Sequence, residues 1–155
     1  MLDSFKLVVE KEPDAHFFFI GDGEDRSDIE NYLTELHLTK NVTLLGSRLP
    51  SAIADYLNAS DVFVMGSFKE GWSTTLVEAC ACCVPCVVTD FSSAEEMVKD
   101  GINGYVLKGR SEKDFADAMI KATELPRGNV IEYNERYKQL AVNKIRFSIE
   151  SEINK

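Results

Sequence analysis

The chain has 155 residues, an apolar fraction of 45% and a net charge of −9. That is the length of one domain with enough apolar material for a core, which excludes a disordered chain. The basic residues (Lys6, Lys11, Arg26, Lys40, Arg48) are scattered, so binding to nucleic acid through its phosphates is not expected.

The sequence holds no run of about eighteen apolar residues, so no membrane span is expected. The first residues, MLDSFKLVVEKEPD, are acidic where a signal peptide would be basic, which makes a cytoplasmic setting the default. Four cysteines crowd together at Cys80, Cys82, Cys83 and Cys86. Such crowding suits no disulfide framework. A zinc site would need a second ligand pair, and none is near. The cysteines are read as buried thiols acting as small apolar side chains.

In chain order, Ser4 to Glu12 spaces apolar residues at 5, 8 and 9, as a helix does, although Val8-Val9 also permits a short strand. His16 to Ile20 is a continuous apolar run, read as a strand buried on both faces, and it enters the turn Gly21-Asp22-Gly23. Ser27-Asp28-Ile29-Glu30 has capping-box spacing ahead of a helix with apolar positions 29, 32, 33 and 36. Val42 to Leu45 reads as a strand closed by Gly46. Pro50-Ser51 starts a helix with apolar positions 53, 56 and 57, and Asp61 to Met65 is a third strand.

The stretch KEGWSTTLVEACACCVPCVVTD, residues 69–90, then reads as loop, helix, strand. Ser93-Ala94-Glu95-Glu96 is another capping-box candidate. Residues 100–104 form a turn and Tyr105-Val106-Leu107 a short strand. Ser111 caps a helix with apolar positions 115, 118, 119 and 122, and the charged tail from Glu132 reads as helical.

Strands and helices alternate with short connections, which predicts an α/β fold: a parallel sheet with helices on both faces. Ligands of such sheets bind beyond the carboxyl ends of the strands. The loops there are 21–23, 46–48, 66–75 and 90–93.

Two carboxylates, Glu70 and Glu78, flank the start of the helix near Ser73. The first amides of a helix have no carbonyl inside it, and its dipole favours an anion there, so a phosphate or diphosphate is a natural guest. The structural alternative is that Ser73 or Thr75 merely caps the helix. Thr75-Leu76-Val77-Glu78 is itself a capping box, which would occupy Glu78. Glu70 is either a loop acid in water or a catalytic group that orients a sugar hydroxyl or steadies a developing positive charge. Paired carboxylates also fit a glycoside hydrolase. The Gly21-Asp22-Gly23 turn lacks the full GxGxxG, so no nicotinamide site is read. His16 and His37 are read as structural.

The run from Ile20 to Leu107 resembles the nucleotide-sugar-binding half of retaining glycosyltransferases of family 4, the glycosyl transferases group 1 domain of the GT-B fold. The motifs that carry the resemblance come in the family's order. They are GDG after a strand, a strand ending in Leu44-Leu45-Gly46, Ser60-Asp61-Val62-Phe63, and Glu70-Gly71-Trp72 with Glu78 eight positions on. Ala81 to Val88, Glu96 to Val98 and DGxNG at 100–104 follow.

The resemblance implies a Rossmann-like domain over 1–125 and a helical tail over 126–155. It implies that Glu70 contacts hydroxyls of the transferred sugar and that Glu78 binds the ribose. The backbone at Gly71, Trp72, Ser73, Thr74 and Thr75 would meet the sugar and diphosphate, that at Ser47 and Arg48 the base, with Gly21 nearby. The partner is a nucleotide-diphosphate sugar, used without a metal or cofactor and with retention. A non-catalytic binding module and an epimerase of the same architecture remain as alternatives.

Ser73 and Thr74 stand where many members have Gly-Leu, and Cys83 stands where glycine is usual, which predicts a different helix end there. The resemblance also implies an earlier strand lying between 16–20 and 61–65, a loop carrying an arginine and a lysine that grip the diphosphate, and an N-terminal acceptor domain. This sequence contains none of them. Loss of two charge-assisted contacts of about 1.5–3 kcal/mol each predicts donor affinity lower by roughly a hundred- to ten-thousandfold. The 155 residues alone are therefore expected to bind nucleotide weakly and to catalyse nothing.

Overall fold

The computed structural model describes residues 1–67, 72–126, 129–135 and 137. Its elements run α1 (Leu2–Lys11), β1 (Phe17–Ile20), α2 (Arg26–Glu35), β2 (Val42–Gly46), α3 (Pro50–Ala59) and β3 (Phe63–Met65). They continue with α4 (Thr74–Ala81), β4 (Cys86–Thr89), α5 (Ala94–Met97), β5 (Gly104–Leu107) and α6 (Glu112–Thr123). Residues 129–135 are helical. The alternation read from the sequence is the alternation found, and α1 is a helix.

All strand pairs are parallel, but they form two groups, β1-β2 and β3-β4-β5. One layer of helices spans both groups. Phe5 and Val8 of α1 and Phe115 and Met119 of α6 share an apolar cluster with Phe17, Val42 and Leu44 of the first group. The same cluster takes in Val64, Val87 and Tyr105 of the second. Alternation along β4 sends Cys86 and Val88 to the other face, where they meet Leu57 of α3, Leu76 and Cys80 of α4 and Met97 of α5. The helix α1 starts with Met1 against Gly66, just past β3, and ends shortly before β1.

Among the described residues no strand pairs β1 with β3, between which the resemblance puts a further strand. This explains one departure from expectation. The strand β1 is not buried on both faces: Phe17, Phe19 and Ile20 are half-buried and Phe18 is 45% exposed, its ring tilted against Tyr56 of α3 with centroids 5.2 Å apart. Among the described residues β1 has a strand neighbour on one side only. By contrast β4, paired on both sides, is buried throughout.

Three other expectations are corrected. Ser27 does not start α2: the helix begins at Arg26 with Asp25 as its cap residue, and no side chain caps it. Its apolar face is thin, since only Leu33 is buried and Tyr32 is exposed. Ser93 precedes α5, but its side chain makes no cap bond and the helix has four residues. Cys83 does not change the end of α4. It adopts φ +57, with Cys83 N–H donating to Cys80 O (2.9 Å) and Val84 N–H to Ala79 O (3.2 Å). That is the pattern a glycine usually completes, here built on cysteine. Ser111 caps α6 as expected, accepting from Asp114 N–H at 3.3 Å, and Phe115, Ala118, Met119 and Ala122 are buried.

Candidate functional site

The loops at the carboxyl ends of the strands hold the candidate residues in two groups. The first lies on β1-β2. The ladder there skips a residue: Phe19 pairs with Leu44 and Ile20 with Gly46, leaving Leu45 as a bulge. Gly46 takes φ +68, and its carbonyl accepts from Gly21 N–H at 3.1 Å. Gly21 is thus joined directly to the turn that carries Ser47 and Arg48. Both of those residues are exposed, and Arg48 Nη1 donates to Ser47 O at 3.2 Å.

The second group lies on α4. Ser73 is its cap residue, buried, with its Oγ accepting from Leu76 N–H at 3.3 Å and lying 3.4 Å from Met65 Sδ. The hydroxyl is therefore used inside the protein, and only the backbone of Ser73 is left to meet a ligand. Thr74 and Thr75 follow, both exposed, and their amides belong to the first turn, which has no carbonyl partner inside a helix. The capping box from Thr75 to Glu78 is not formed, because the cap is Ser73, two residues earlier. Glu78 sits more than a turn inside α4 and is exposed. It is thereby released from the structural role that competed with ligand binding. Trp72 is 51% exposed just ahead of the helix. Glu70 and Gly71 lie outside the described residues.

The two groups share a support. The helix α3 starts directly after the 46–48 turn, and its Leu57 and Ile53 pack in the same apolar cluster as Leu76 and Val77 of α4. Thr89 ties the far side: its Oγ1 donates to Ser67 O at 2.6 Å, joining the end of β4 to the segment after β3. In the sequence Thr89 belongs to the strand that closes the 69–90 stretch and carries no site motif. A buried hydroxyl at the last position of a strand was the available signal, since such a group needs a partner.

The DGxNG turn is structural. Asn103 Nδ2 donates to Met97 O (3.0 Å) and to Asn134 Oδ1 (2.7 Å), and Asn103 Oδ1 accepts from Lys99 N–H at 2.7 Å. Tyr137 Oη donates to Glu96 O at 2.8 Å, which ties Tyr137 to α5. Cys80 and Cys86 are fully buried with their sulfurs 4.0 Å apart, and Cys82 and Cys83 are half-buried. Its hydrogen bond with Cys80, and then burial, push the Cys86 thiol well up. Burial, then Cys83 and Glu78, raises Cys82. Protonated thiols are poor nucleophiles, consistent with packing roles. Among the described residues no helix is long and apolar enough to cross a membrane.

Residues 1–144 match the family model of glycosyl transferases group 1. An Escherichia coli UDP-Gal:alpha-D-GlcNAc-diphosphoundecaprenol alpha-1,3-galactosyltransferase is 32% identical over 139 residues, 88% of this chain and 35% of that protein. The N-acetyl-alpha-D-glucosaminyl L-malate synthase of Bacillus anthracis is 31% identical over 121 residues, 78% of this chain and 31% of its own length. The chain thus spans about a third of the length of these relatives. Among solved structures, the pneumococcal O-GlcNAc transferase GtfA in complex with UDP and GlcNAc superposes with a TM-score of 0.79 at 17% identity, over 99% of this chain and 33% of that one. Anabaena HepE in complex with UDP-glucose gives 0.72 at 23% identity, over 96% and 44%. These likenesses place the fold among GT-B glycosyltransferases. With its motifs in order and most of its length matched, the chain belongs to the glycosyl transferases group 1 family.

Proposed function

We propose that this chain is the donor-binding part of a retaining glycosyltransferase that moves a hexose from a nucleotide-diphosphate sugar to an acceptor. Family membership supports the class of reaction. The observation that carries the site is the start of α4, where Ser73 turns its hydroxyl inward as a cap and Thr74, Thr75 and Glu78 are exposed.

On this reading the amides of residues 71–74 and the helix dipole stabilise the diphosphate as it leaves. Glu78 accepts hydrogen bonds from the ribose. Glu70 orients the sugar and acts as the catalytic carboxylate. The backbone at Ser47 and Arg48 meets the base, without a metal or cofactor. Residues 1–125 form the donor domain and 126–155 the tail, the acceptor domain is supplied from outside these 155 residues, and the setting is cytoplasmic. A pure binding module would keep Glu78 and dispense with Glu70.

The test is ligand-observed NMR of the chain with UDP, GDP and ADP in millimolar excess. One nucleotide is expected to bind and to lose its signal in Glu78→Ala. Binding unchanged by that substitution would remove Glu78 from the site. In a full-length glycosyltransferase carrying this domain, Glu70→Gln is expected to abolish transfer, and retained activity would favour the binding module.

A further inference from the structure

Arg26 was one scattered cation in the sequence, yet the fold gives it a specific place. It opens α2 at the carboxyl end of β1, and its guanidinium crosses to β2, where Nη2 donates to Leu44 O at 3.4 Å. Its Nε donates to Glu30 Oε1, one turn along α2, at 3.1 Å, which aims the side chain. Gly46 lies beside it: a Cβ on that glycine would stand 3.6 Å from Arg26 Nη1 and 3.7 Å from Asp22 Oδ2. Asp22, exposed, accepts from the neighbouring Gly23 N–H at 3.1 Å. On the other side of the same glycine, Gly21 N–H holds its carbonyl.

The bulged Leu45 interrupts the ladder just before the chain leaves the sheet, and a bulge leaves one residue unpaired and bends the strand. Arg26 restores a donor there, holding the carbonyl immediately before the bulge. A planar fork can serve Leu44 O and Glu30 together, whereas a lysine ammonium cannot reproduce that arrangement.

We propose that Arg26 is a positioning residue for the nucleotide base: by gripping Leu44 O it sets the direction in which the Gly46–Arg48 turn leaves β2. The inference rests on the donor-site reading above. It identifies a residue that acts through the turn and does not itself touch the ligand.

The experiment uses amide NMR of the chain and ligand-observed titration with UDP, GDP and ADP, on wild type, Arg26→Gln, Arg26→Lys and Glu78→Ala. Arg26→Gln is expected to shift the Ser47 and Arg48 amides, to leave those of β4 in place, and to weaken the bound nucleotide roughly tenfold, as loss of one charge-assisted hydrogen bond would. Arg26→Lys is expected to behave like Arg26→Gln. Full binding in Arg26→Lys would overturn the proposal, because charge alone would then explain the effect. Unchanged binding in Arg26→Gln while Glu78→Ala loses it would overturn the proposal and leave the donor site standing. No binding by wild type to any of the three would sink the donor site and the base-turn role together. Should Arg26→Gln not fold, Glu30→Gln, which frees the guanidinium without removing it, is expected to give a smaller loss and smaller shifts at the same amides. Wild-type binding and shifts in that variant would overturn the proposal.

Discussion

The two halves of the sheet use the same local devices and reach different degrees of burial. Both are parallel, both send their loops off the carboxyl ends, and both place a glycine of positive φ beside a strand end. Yet every residue of β4 is buried and none of β1 is. The difference is in neighbours. The strand β4 is flanked by β3 and β5 and covered on both faces, whereas β1 has one strand neighbour among the described residues. Apolar composition makes a strand, but burial needs both edges and both faces occupied. The candidate residues divide the same way. The α4 group rests on the buried half, while Gly21, Ser47 and Arg48 rest on the open one.

Glycine substitution should break this comparison most sharply. A Cβ on Gly104 would lie 1.8 Å from Cys86 O, inside the backbone of β4. A Cβ on Gly46 meets nothing closer than 3.6 Å, so only its φ of +68 is strained. Gly104→Ala is expected to cost about 4 kcal/mol or to prevent folding, and Gly46→Ala about 1 kcal/mol. Urea unfolding of both variants gives the numbers. Equal losses would mean that the β4-β5 contact relaxes easily, against its full burial.

Side-chain truncation sharpens the same contrast at smaller scale. Leu76 is fully buried between α4 and β4, so Leu76→Ala should cost about 3 kcal/mol. Phe18 is larger but 45% exposed, and Phe18→Ala should cost about 1 kcal/mol or less. A larger loss for Phe18 would show that its ring contact with Tyr56 closes the open edge of β1 more tightly than its exposure indicates.

The fold class was legible in the sequence because alternating strands, helices and glycine-rich ends are local patterns. The burial of β1 was not, since HFFFI reads the same whether one edge or two are paired. Helix starts at Asp25 and Ser73 were misread or left open because several Ser, Thr and Asp residues in a row offer equivalent caps. Tertiary contact chose among them: Ser73 is the residue whose hydroxyl also reaches Met65. Arg26 and Thr89 escaped notice for a related reason. Their partners are carbonyls of Leu44 and Ser67, and a carbonyl partner leaves no mark on the sequence.

The smallest test concerns the ends of α2 and α4, where the two halves again share one device. His37 (φ +60) and Cys83 (φ +57) both occupy the left-handed position after a helix. Each is followed by a buried residue whose amide reaches back, Leu38 to Leu33 O at 2.9 Å and Val84 to Ala79 O at 3.2 Å. A non-glycine residue there costs about 1–2 kcal/mol, and glycine returns part of that through its freer unfolded chain. His37 is exposed, so His37→Gly discards little contact and should stabilise by about 0.5–1 kcal/mol. Cys83 is half-buried, so Cys83→Gly also gives up partly buried thiol surface and should gain less, about 0.5 kcal/mol. Both are read as shifts of the urea midpoint at constant slope. A larger gain for Cys83 than for His37 would mean that its thiol is strained rather than packed, and the buried half would then be storing tension at the end of the helix that carries Glu78.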